Sequence, residues 1–502
     1  MSVIRSLSIV AASYLIQTFF GILFYLVIAR TLPVTEVGAI TLFLSFGAIF
    51  ATAFSLNLDT GFSHFISYTH GKTGRFILPR ALMILSVAMT IIAFLSITAL
   101  STTISGVFFH SLQYKGIVIL MGVYVSETVA LGYLVSILQG MQSFRRGAFA
   151  NIAYSTLSMG IPIVLSFFLF PVFVVAAGFA LGAGISVILA FSFVISSKLS
   201  NDVFENGMMK KFLTYVTPVF LGSLFTSLMG SVDRVILPAL TNLTLSAVYS
   251  YSLTIATIVT AITSPFSFFL FPKISQHFGS SDPHELKKYT QGSLELFYFI
   301  GLPASIGATI LSKPILLVLV GGVYASHYII LQIMVFSYSF FSFRPIVTSV
   351  ILGVRRTGVY LYSGAGALVA NLLVSLIFIP HFGIYGAVAA SISAWGISTV
   401  PRMIALGSIT EHEIILTPFI RIWINSGLMA IGVFLVMRLF SSGLISLFIP
   451  AFVGVILYFA FTIMNRPFSY ESRNLVRSIM SKNNQILKVA AWIIIGSKDS
   501  AK

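Results

Sequence analysis

The chain has 502 residues, of which 57% are hydrophobic and only 8% are charged, and its mean hydropathy is +1.01. This composition cannot form a water-soluble surface, so it excludes a soluble globular protein and indicates a chain that crosses a membrane many times. Cysteine is absent, which excludes disulfides, thiolate metal sites and cysteine nucleophiles.

Apolar runs of about 20 residues recur along the whole chain, and this is the length of helix that crosses a hydrocarbon core. Transmembrane β-strands would instead give alternating segments of about ten residues, so we predict an all-α integral membrane protein. The sequence predicts about fourteen transmembrane helices. They lie near residues 7–29, 37–58, 81–103, 116–138, 148–170, 172–195, 213–232, 247–271, 291–311, 328–352, 359–379, 383–407, 418–439 and 442–464.

Basic residues collect on one side of this arrangement. If the N-terminus is cytoplasmic, most of the 29 Lys and Arg residues fall in inner connections or in the C-terminal tail, and Arg402 is counted among them. Because Lys and Arg concentrate in cytoplasmic loops, both termini are predicted to be cytoplasmic. The net charge of +16 then reflects a surface facing anionic lipid and needs no nucleic-acid partner.

The connections between the predicted spans are short. The longest run from about 57 to 80, from 198 to 212 and from 273 to 290, which leaves no room for a soluble catalytic domain. We therefore expect no enzyme activity and no resident cofactor. The eight histidines show no ligand spacing such as His-x-x-x-His, so we expect no metal site.

Short stretches of the first half recur in the second half in the same chain order. Pro171-Val172-Phe173 is echoed by Pro380-His381-Phe382, and a Gly followed by an Arg pair occurs within both 138–146 and 351–356. This repetition predicts two lobes of six helices each, related as parallel repeats about an axis normal to the membrane, plus two added helices. The predicted parts are an N-terminal lobe at 1–197, a cytoplasmic linker at 198–212, a C-terminal lobe at 213–408, additional spans at 409–464 and a cytoplasmic tail at 465–502.

Three motifs follow one another in a specific order. They are ARTLPVTEVG at Ala29–Gly38, VDRVIL at Val232–Leu237 and NLLVSLIFIPHFGIYGAVAAS at Asn371–Ser391. As an ordered set they resemble the polysaccharide (oligosaccharide) flippases of the multidrug/oligosaccharidyl-lipid/polysaccharide exporter superfamily. Pro33 departs from the resemblance, because the family usually has Gly at that point of the first turn.

The resemblance implies a two-lobed bundle in which spans one, two, seven and eight line a central cavity that opens alternately to each side. It implies a flippase of the plasma membrane that moves a polyprenyl phosphate- or pyrophosphate-linked oligosaccharide to the outer leaflet, for surface polysaccharide or glycoprotein assembly. Glycan-assembly enzymes are candidate partners. Two alternatives stay open: a cation-coupled multidrug exporter of the same superfamily, and an integral glycan-processing enzyme.

Polar groups inside spans are the candidates for substrate binding, since a charge at the bilayer centre costs at least about 2.5–3.5 kcal/mol. Arg30 closes the first span and could contact phosphate or anchor the helix at the interface. Arg344 precedes a proline inside span ten and could face the cavity or pair structurally. Arg234 could bind substrate or pair with Asp233, and Gln17 could meet sugar hydroxyls or bond a neighbouring helix.

Two acidic residues are candidates for the coupling ion. Glu127 lies near the middle of span four, where an ionised carboxylate must be protonated, paired or bound to a cation. This suits coupling to H⁺ or Na⁺, and structural pairing is the alternative. Asp59, at the inner end of span two, is the second candidate.

Overall fold

The computed structural model describes residues 2–73, 76–168, 171–197, 199–200, 207–258, 283–341, 343–354, 356–410, 415–440 and 444–473. Within these residues the chain is almost entirely helical. The helices up to residue 258 are α1 (Ser2–Thr31), α2 (Val34–Ser55), α3 (Leu58–Thr73), α4 (Arg80–Ala99), α5 (Ser101–Phe108), α6 (Lys115–Gly140), α7 (Phe144–Phe167), α8 (Val172–Ile195), α9 (Met208–Leu240) and α10 (Leu243–Ile258).

The later helices are α11 (Pro283–Ile310), α12 (Ser312–Leu319), α13 (Gly322–Ala325), α14 (Tyr328–Phe341), α15 (Arg344–Gly353), α16 (Thr357–Phe382), α17 (Ile384–Thr410), α18 (Thr417–Leu439) and α19 (Ile445–Asn465). A 3-10 turn at Leu112–Tyr114 precedes α6. Two short parallel strands, β1 (Phe76–Ile77) and β2 (Leu199–Ser200), pair Phe76 with Leu199 and Ile77 with Ser200.

The fold class predicted from the sequence is confirmed. In the described part of the chain, 11 helices are long and apolar enough to cross a membrane. The other three predicted spans overlap α1, α10 and α17, and residues 259–271 of the predicted span 247–271 lie outside the described residues.

Prolines mark where several helices begin. Pro33, Pro79 and Pro171 each stand immediately before a helix, with φ between −58° and −52° and extended ψ. Proline fixes φ near this value and lacks the N–H that the first turn could not use, so it favours a helix start. These residues set the boundaries of α2, α4 and α8.

Helix α3 occupies a stretch that the sequence analysis treated as a connection. The chain leaves α2 through Leu56 and Asn57, whose φ values are 46° and 54°, and then resumes as a helix. The α3 sequence mixes His, Ser and Thr with aromatic residues, so its hydropathy is too low to be recognised as a span. Its buried rings Phe62 and Phe65 pack against Phe212 of α9.

The helices pack into two compact units, Met1–Ser250 with Ser375–Ala387 and Tyr251–Val374 with Val388–Lys502. The division into lobes predicted at 198–212 stays a prediction.

Interlocking aromatic rings form the centre of the first unit. Phe179 of α8 lies 5.1 Å from Phe24 of α1 and 5.5 Å from Phe43 of α2, measured between ring centroids, and Phe43 lies 5.4 Å from Tyr124 of α6. Such pairs contribute about 0.5–1.5 kcal/mol each beyond the area they bury. They fix α1, α2, α6 and α8 against one another.

Helix α9 and the start of α10 contact earlier parts of the same unit. Thr52 of α2 donates a hydrogen bond of 3.2 Å to Ser227 of α9, and Gly38 lies so close to the Leu243 carbonyl that a Cβ would overlap it. His110 Nε2 lies within hydrogen-bonding distance, 2.7 Å, of the Pro238 carbonyl oxygen. The first contact joins α9 to α2, the second joins α10 to α2, and the third joins α9 to the segment after α5.

A buried carboxylate organises one end of the second unit. Glu295 of α11 is fully buried and accepts hydrogen bonds from Gln291 Nε2 (2.6 Å), from the Ser469 N–H (2.9 Å) and from the Ser472 hydroxyl. Phe468 packs its ring 4.9 Å from that of Phe299. The segment after α19 is therefore tied back onto α11.

Candidate functional site

Two arginines meet inside the second compact unit, and the first of them is placed by a break between helices. Helix α14 ends at Phe341 and α15 begins at Arg344, with Pro345 in its first turn. Phe343, just before Arg344, is buried and stacks on Tyr298 of α11 with centroids 5.5 Å apart. The stacked ring anchors the start of α15, and with it the backbone that carries Arg344.

Arg402 reaches the same place from α17. Its side chain is only 6% exposed. Nε donates to the Ser363 hydroxyl at 2.8 Å, Nη1 donates to the Thr348 hydroxyl at 3.0 Å, and the guanidinium lies 4.9 Å from the centre of the Tyr360 ring. Thr348 is one turn along α15 from Arg344 and donates to the Arg344 carbonyl at 2.9 Å. Thr348 thus connects the two arginines.

The two guanidinium groups form a concentration of positive charge, which we call the arginine pair. Arg344 lies within electrostatic range of Arg402, and its Nη1 is shielded from solvent without a hydrogen-bond partner among the described residues. No described carboxylate makes a salt bridge with either arginine. Because the N-terminus of α15 is also positive, the site carries uncompensated charge that an anion would relieve.

A cavity elsewhere in this unit is apolar, in contrast to the arginine pair. It has a volume of about 420 Å³ and lies among α11, α12, α18 and α19, where its walls are almost entirely aliphatic and aromatic. The Tyr458 hydroxyl on its wall is already bonded to the Phe299 carbonyl at 2.8 Å. This cavity can offer dispersion contacts only.

Gln17 lines a polar cavity in the first compact unit. The cavity has a volume of about 390 Å³ and lies among α1, α6 and α7. We call it the carboxamide cavity after its polar lining residues, which are Gln17, Thr128, Gln139, Asn151, Tyr154 and Ser155. None of its described lining residues carries a charge.

Glu127 lies on α6, and its carboxylate is not hydrogen-bonded to another described residue. Its carboxylate packs against α8 at Gly184, where a Cβ would come within 2.7 Å of Oε1. Its Oε2 is shielded from solvent and has no hydrogen-bond partner among the described residues. Glycine at position 184 therefore leaves room for a carboxyl group that no described neighbour neutralises.

Asp59 lies at the start of α3. Its Oδ1 accepts the Thr60 N–H at 2.8 Å, as expected of an acid in the first turn of a helix. Burial raises the pKa of the Asp59 carboxyl, and its backbone hydrogen bonds work in the opposite direction.

The remaining predicted residues lie on α1 and α9. Arg30 is exposed in the last turn of α1. Arg234 is half-buried on α9, with its Nε lacking a hydrogen bond to any described residue. The neighbouring Asp233 is buried and accepts a hydrogen bond of 2.7 Å from the Tyr249 hydroxyl.

The structure thus places Arg402 beside Arg344, although Arg402 was counted among the basic residues of the cytoplasmic side. Arg402 falls within the predicted span 383–407, directly after Pro401. A cation next to a proline inside an apolar run was the signal that could have identified it. In the described part of the chain, no three His, Asp or Glu side chains come together as metal ligands would.

Comparison with known proteins gives the family. A family model described as polysaccharide biosynthesis protein matches residues 3–278. The probable low-salt glycan biosynthesis flippase of Haloferax volcanii is 26% identical over 309 residues, which is 60% of this chain and 64% of that protein's length. An uncharacterized membrane protein of Methanocaldococcus jannaschii is 22% identical and covers 94% of this chain and 97% of its own.

Solved structures give the fold. The lipid II flippase MurJ in its inward closed conformation aligns with a TM-score of 0.71 at 14% identity, covering 91% of this chain and 98% of its own. A multidrug resistance MATE family transporter of the MOP superfamily, in an inward-facing conformation, aligns with a TM-score of 0.63 at 15% identity, covering 79% of this chain and 95% of its own. The relative and the solved structures whose names state a function are flippases or transporters and not enzymes, in agreement with the prediction from the sequence. Because the family model covers more than half of its length, this multi-pass membrane protein belongs to the polysaccharide biosynthesis protein family, and it has the fold of the MOP superfamily transporters.

Proposed function

We propose that the protein is a flippase for a lipid-linked oligosaccharide. It moves a glycan carried on polyprenyl phosphate or pyrophosphate from the cytoplasmic to the outer leaflet by alternating access, for surface polysaccharide or glycoprotein assembly. The observation that carries the proposal is the arginine pair. Arg344 and Arg402 are two cations within a membrane-embedded unit, with no described carboxylate to neutralise them.

The chemistry of the arginine pair selects the kind of substrate. Guanidinium groups bind phosphate through paired N–H donors, and charged hydrogen bonds gain strength where water is excluded. An organic cation would be repelled by the same groups, which disfavours the multidrug-exporter alternative at this site. A diphosphate carries enough negative charge to compensate both arginines.

The relatives support the same substrate class. The Haloferax volcanii relative is named as a probable glycan biosynthesis flippase, and the family description concerns polysaccharide biosynthesis. Shared ancestry with a glycan flippase and a cationic site inside the bundle both favour an anionic, sugar-bearing lipid. Arg30 and Arg234 are further candidates for the phosphate, and Gln17 is a candidate for the sugar.

Glu127 is our candidate for the coupling group, with Asp59 as the second. An unpaired carboxylate within a span must take up H⁺ or bind a cation such as Na⁺ before its helix can move through a low-dielectric environment. The Glu127 carboxylate has a buried oxygen without a described partner, which supports this role.

We also propose that the protein resides in the plasma membrane with both termini in the cytoplasm, because most basic residues fall in the connections of that side. Glycan-assembly enzymes that make or consume the lipid-linked substrate would be its partners.

The test is transport by the purified protein in liposomes. The substrate is a polyprenyl diphosphate carrying a fluorescent oligosaccharide, and a membrane-impermeant quencher reports the fraction in the outer leaflet. Protein-dependent movement between leaflets is expected, with no transport of a fluorescent organic cation in parallel vesicles. Transport of the cation without movement of the glycolipid would refute the proposal.

A further inference from the structure

The carboxamide cavity is lined by side-chain amides that do not take part in the described packing hydrogen bonds of the first unit. No hydrogen bond joins the side-chain amides of Gln17, Gln139 or Asn151 to another described residue. Each amide offers two N–H donors and a carbonyl acceptor. The cavity therefore presents several donors and acceptors that no described protein group occupies, within about 390 Å³.

One wall of the cavity is held in place by its neighbours. The Tyr154 and Tyr124 hydroxyls are 2.8 Å apart and share a hydrogen bond, and Thr128 donates to the Tyr124 carbonyl at 2.8 Å. Tyr124 is itself buried in the aromatic centre of the first unit. The Tyr154 ring is thus fixed before any ligand arrives, which lowers the entropic cost of binding.

The chemistry of the lining residues limits the kinds of ligand that the cavity can bind. Described lining residues bring no cation to bind phosphate and no carboxylate to bind an organic cation. The three amides would lose their hydrogen bonds to water if an acyl chain filled the space. A ligand with hydroxyl groups around its edge, each able to donate and accept, matches amides and tyrosine together.

The volume suits a ligand of this kind. At about 390 Å³ the cavity lies at the small end of ligand pockets, which run from about 300 to 1,000 Å³. It could hold roughly a dozen waters, given about 30 Å³ for each. A single sugar or a disaccharide can displace that water, and its hydroxyls can replace the hydrogen bonds.

We propose that the carboxamide cavity binds an uncharged sugar of the transported glycan. The inference rests on the proposed function and adds a site for the sugar part of the substrate. Gln17 and Asn151 would bond sugar hydroxyls, and the Tyr154 ring would lie against the face of the sugar.

The test compares two synthetic lipids in nanodiscs that contain the full chain. One is a short-chain polyprenyl diphosphate bearing N,N′-diacetylchitobiose, and the other is the same diphosphate without sugar. Equilibrium affinity for each is measured for the unaltered protein, for Gln17→Met, for Asn151→Leu and for the double variant. Gln113→Met is the matched control, because Gln113 is exposed and lies outside the cavity.

We expect the cavity variants to lose their preference for the sugar-bearing lipid over the sugar-free lipid. The unaltered protein binds the sugar-bearing lipid more tightly, and each cavity variant weakens that binding by about 5-fold, the effect of one lost hydrogen bond. Binding of the sugar-free lipid stays unchanged in the same variants, which also shows that they are folded. Gln113→Met changes neither affinity.

Two results would overturn the inference, and they are distinguishable. If the double variant keeps the full preference for the sugar-bearing lipid, the cavity does not bind sugar, although the proposed function stands. If the unaltered protein binds neither lipid, both the proposed function and the inference that rests on it are wrong.

Discussion

Replacing Arg402 with methionine is expected to weaken substrate binding strongly while leaving the protein folded. The change deletes two hydrogen bonds from the charged guanidinium, to Ser363 and Thr348, at about 1.5–3 kcal/mol each. It also deletes the contact with Tyr360, at about 0.5–2 kcal/mol. Ser363 and Thr348 keep their own bonds to backbone carbonyls, so no buried hydroxyl donor is left unsatisfied.

Relief of charge repulsion acts in the other direction. Arg402→Met removes the repulsion between its guanidinium and that of Arg344. For two unit charges such a repulsion is worth about 4 kcal/mol at a separation of about 4 Å and an effective dielectric constant of about 20, and less at longer separations. This relief, together with the removed cost of burying a guanidinium group, offsets most of the loss. The free energy of unfolding should therefore fall by less than about 3–5 kcal/mol, the loss that is typical of breaking a buried ion pair. Binding of a diphosphate, in contrast, loses one charged hydrogen-bonding partner, worth about 1.5–3 kcal/mol or roughly 10- to 150-fold in affinity.

The assay pairs thermal unfolding in detergent with affinity for a polyprenyl diphosphate lipid. Arg356→Met is the matched control, because Arg356 is exposed and donates to the Ser408 hydroxyl at 2.9 Å, outside the arginine pair. It should change neither quantity. The reasoning is refuted if Arg402→Met binds the lipid normally, or if it loses the 3–5 kcal/mol that is typical of breaking a buried ion pair.

Three further substitutions test other parts of the molecule. Glu127→Gln should make initial transport rates in liposomes independent of the imposed H⁺ or Na⁺ gradient, and an unaltered gradient dependence would remove Glu127 from coupling. Gly182→Ala should lower the stability by about 1–3 kcal/mol, because its Cβ would lie 2.5 Å from the backbone of α7, whereas Gly160→Ala meets nothing within 4 Å and should be neutral; equal shifts in the unfolding temperature would contradict this. Glu295→Ala removes the acceptor of three hydrogen bonds, so trypsin should cleave after Arg473 sooner than in the unaltered protein, as followed by mass spectrometry. An unchanged cleavage rate would show that Glu295 does not hold the segment after α19.

The helical spans could be predicted from the sequence because each must bury its backbone and present apolar side chains over about 20 residues. Helix α3 could not be predicted in the same way. It is stabilised by aromatic packing of Phe62 and Phe65 on α9, and such packing leaves no signature in local hydropathy.

The candidate site was predictable only in part. Arg344 could be selected because a cation inside an apolar run is expensive. Its neighbour Arg402 is 58 residues away along the chain, and their association depends on how α15 and α17 pack. Likewise, Gln17 could be recognised as polar, but the cavity that it shares with Asn151 and Tyr154 exists only after α1 and α7 have come together.

The Thr348 hydroxyl makes the spacing of the arginine pair depend on the relative position of α15 and α17. It is bonded to the start of its own helix α15 and, at 3.0 Å, to Arg402 of α17. A hydrogen bond of this kind weakens beyond about 3.2 Å and is lost near 3.6 Å. Sliding α15 along α17 by roughly half an ångström would therefore break the bond to Thr348, while Ser363 of α16 would still hold the Arg402 guanidinium. The spacing of the two charges would change, and the affinity for an anion would depend on the displacement of the helices.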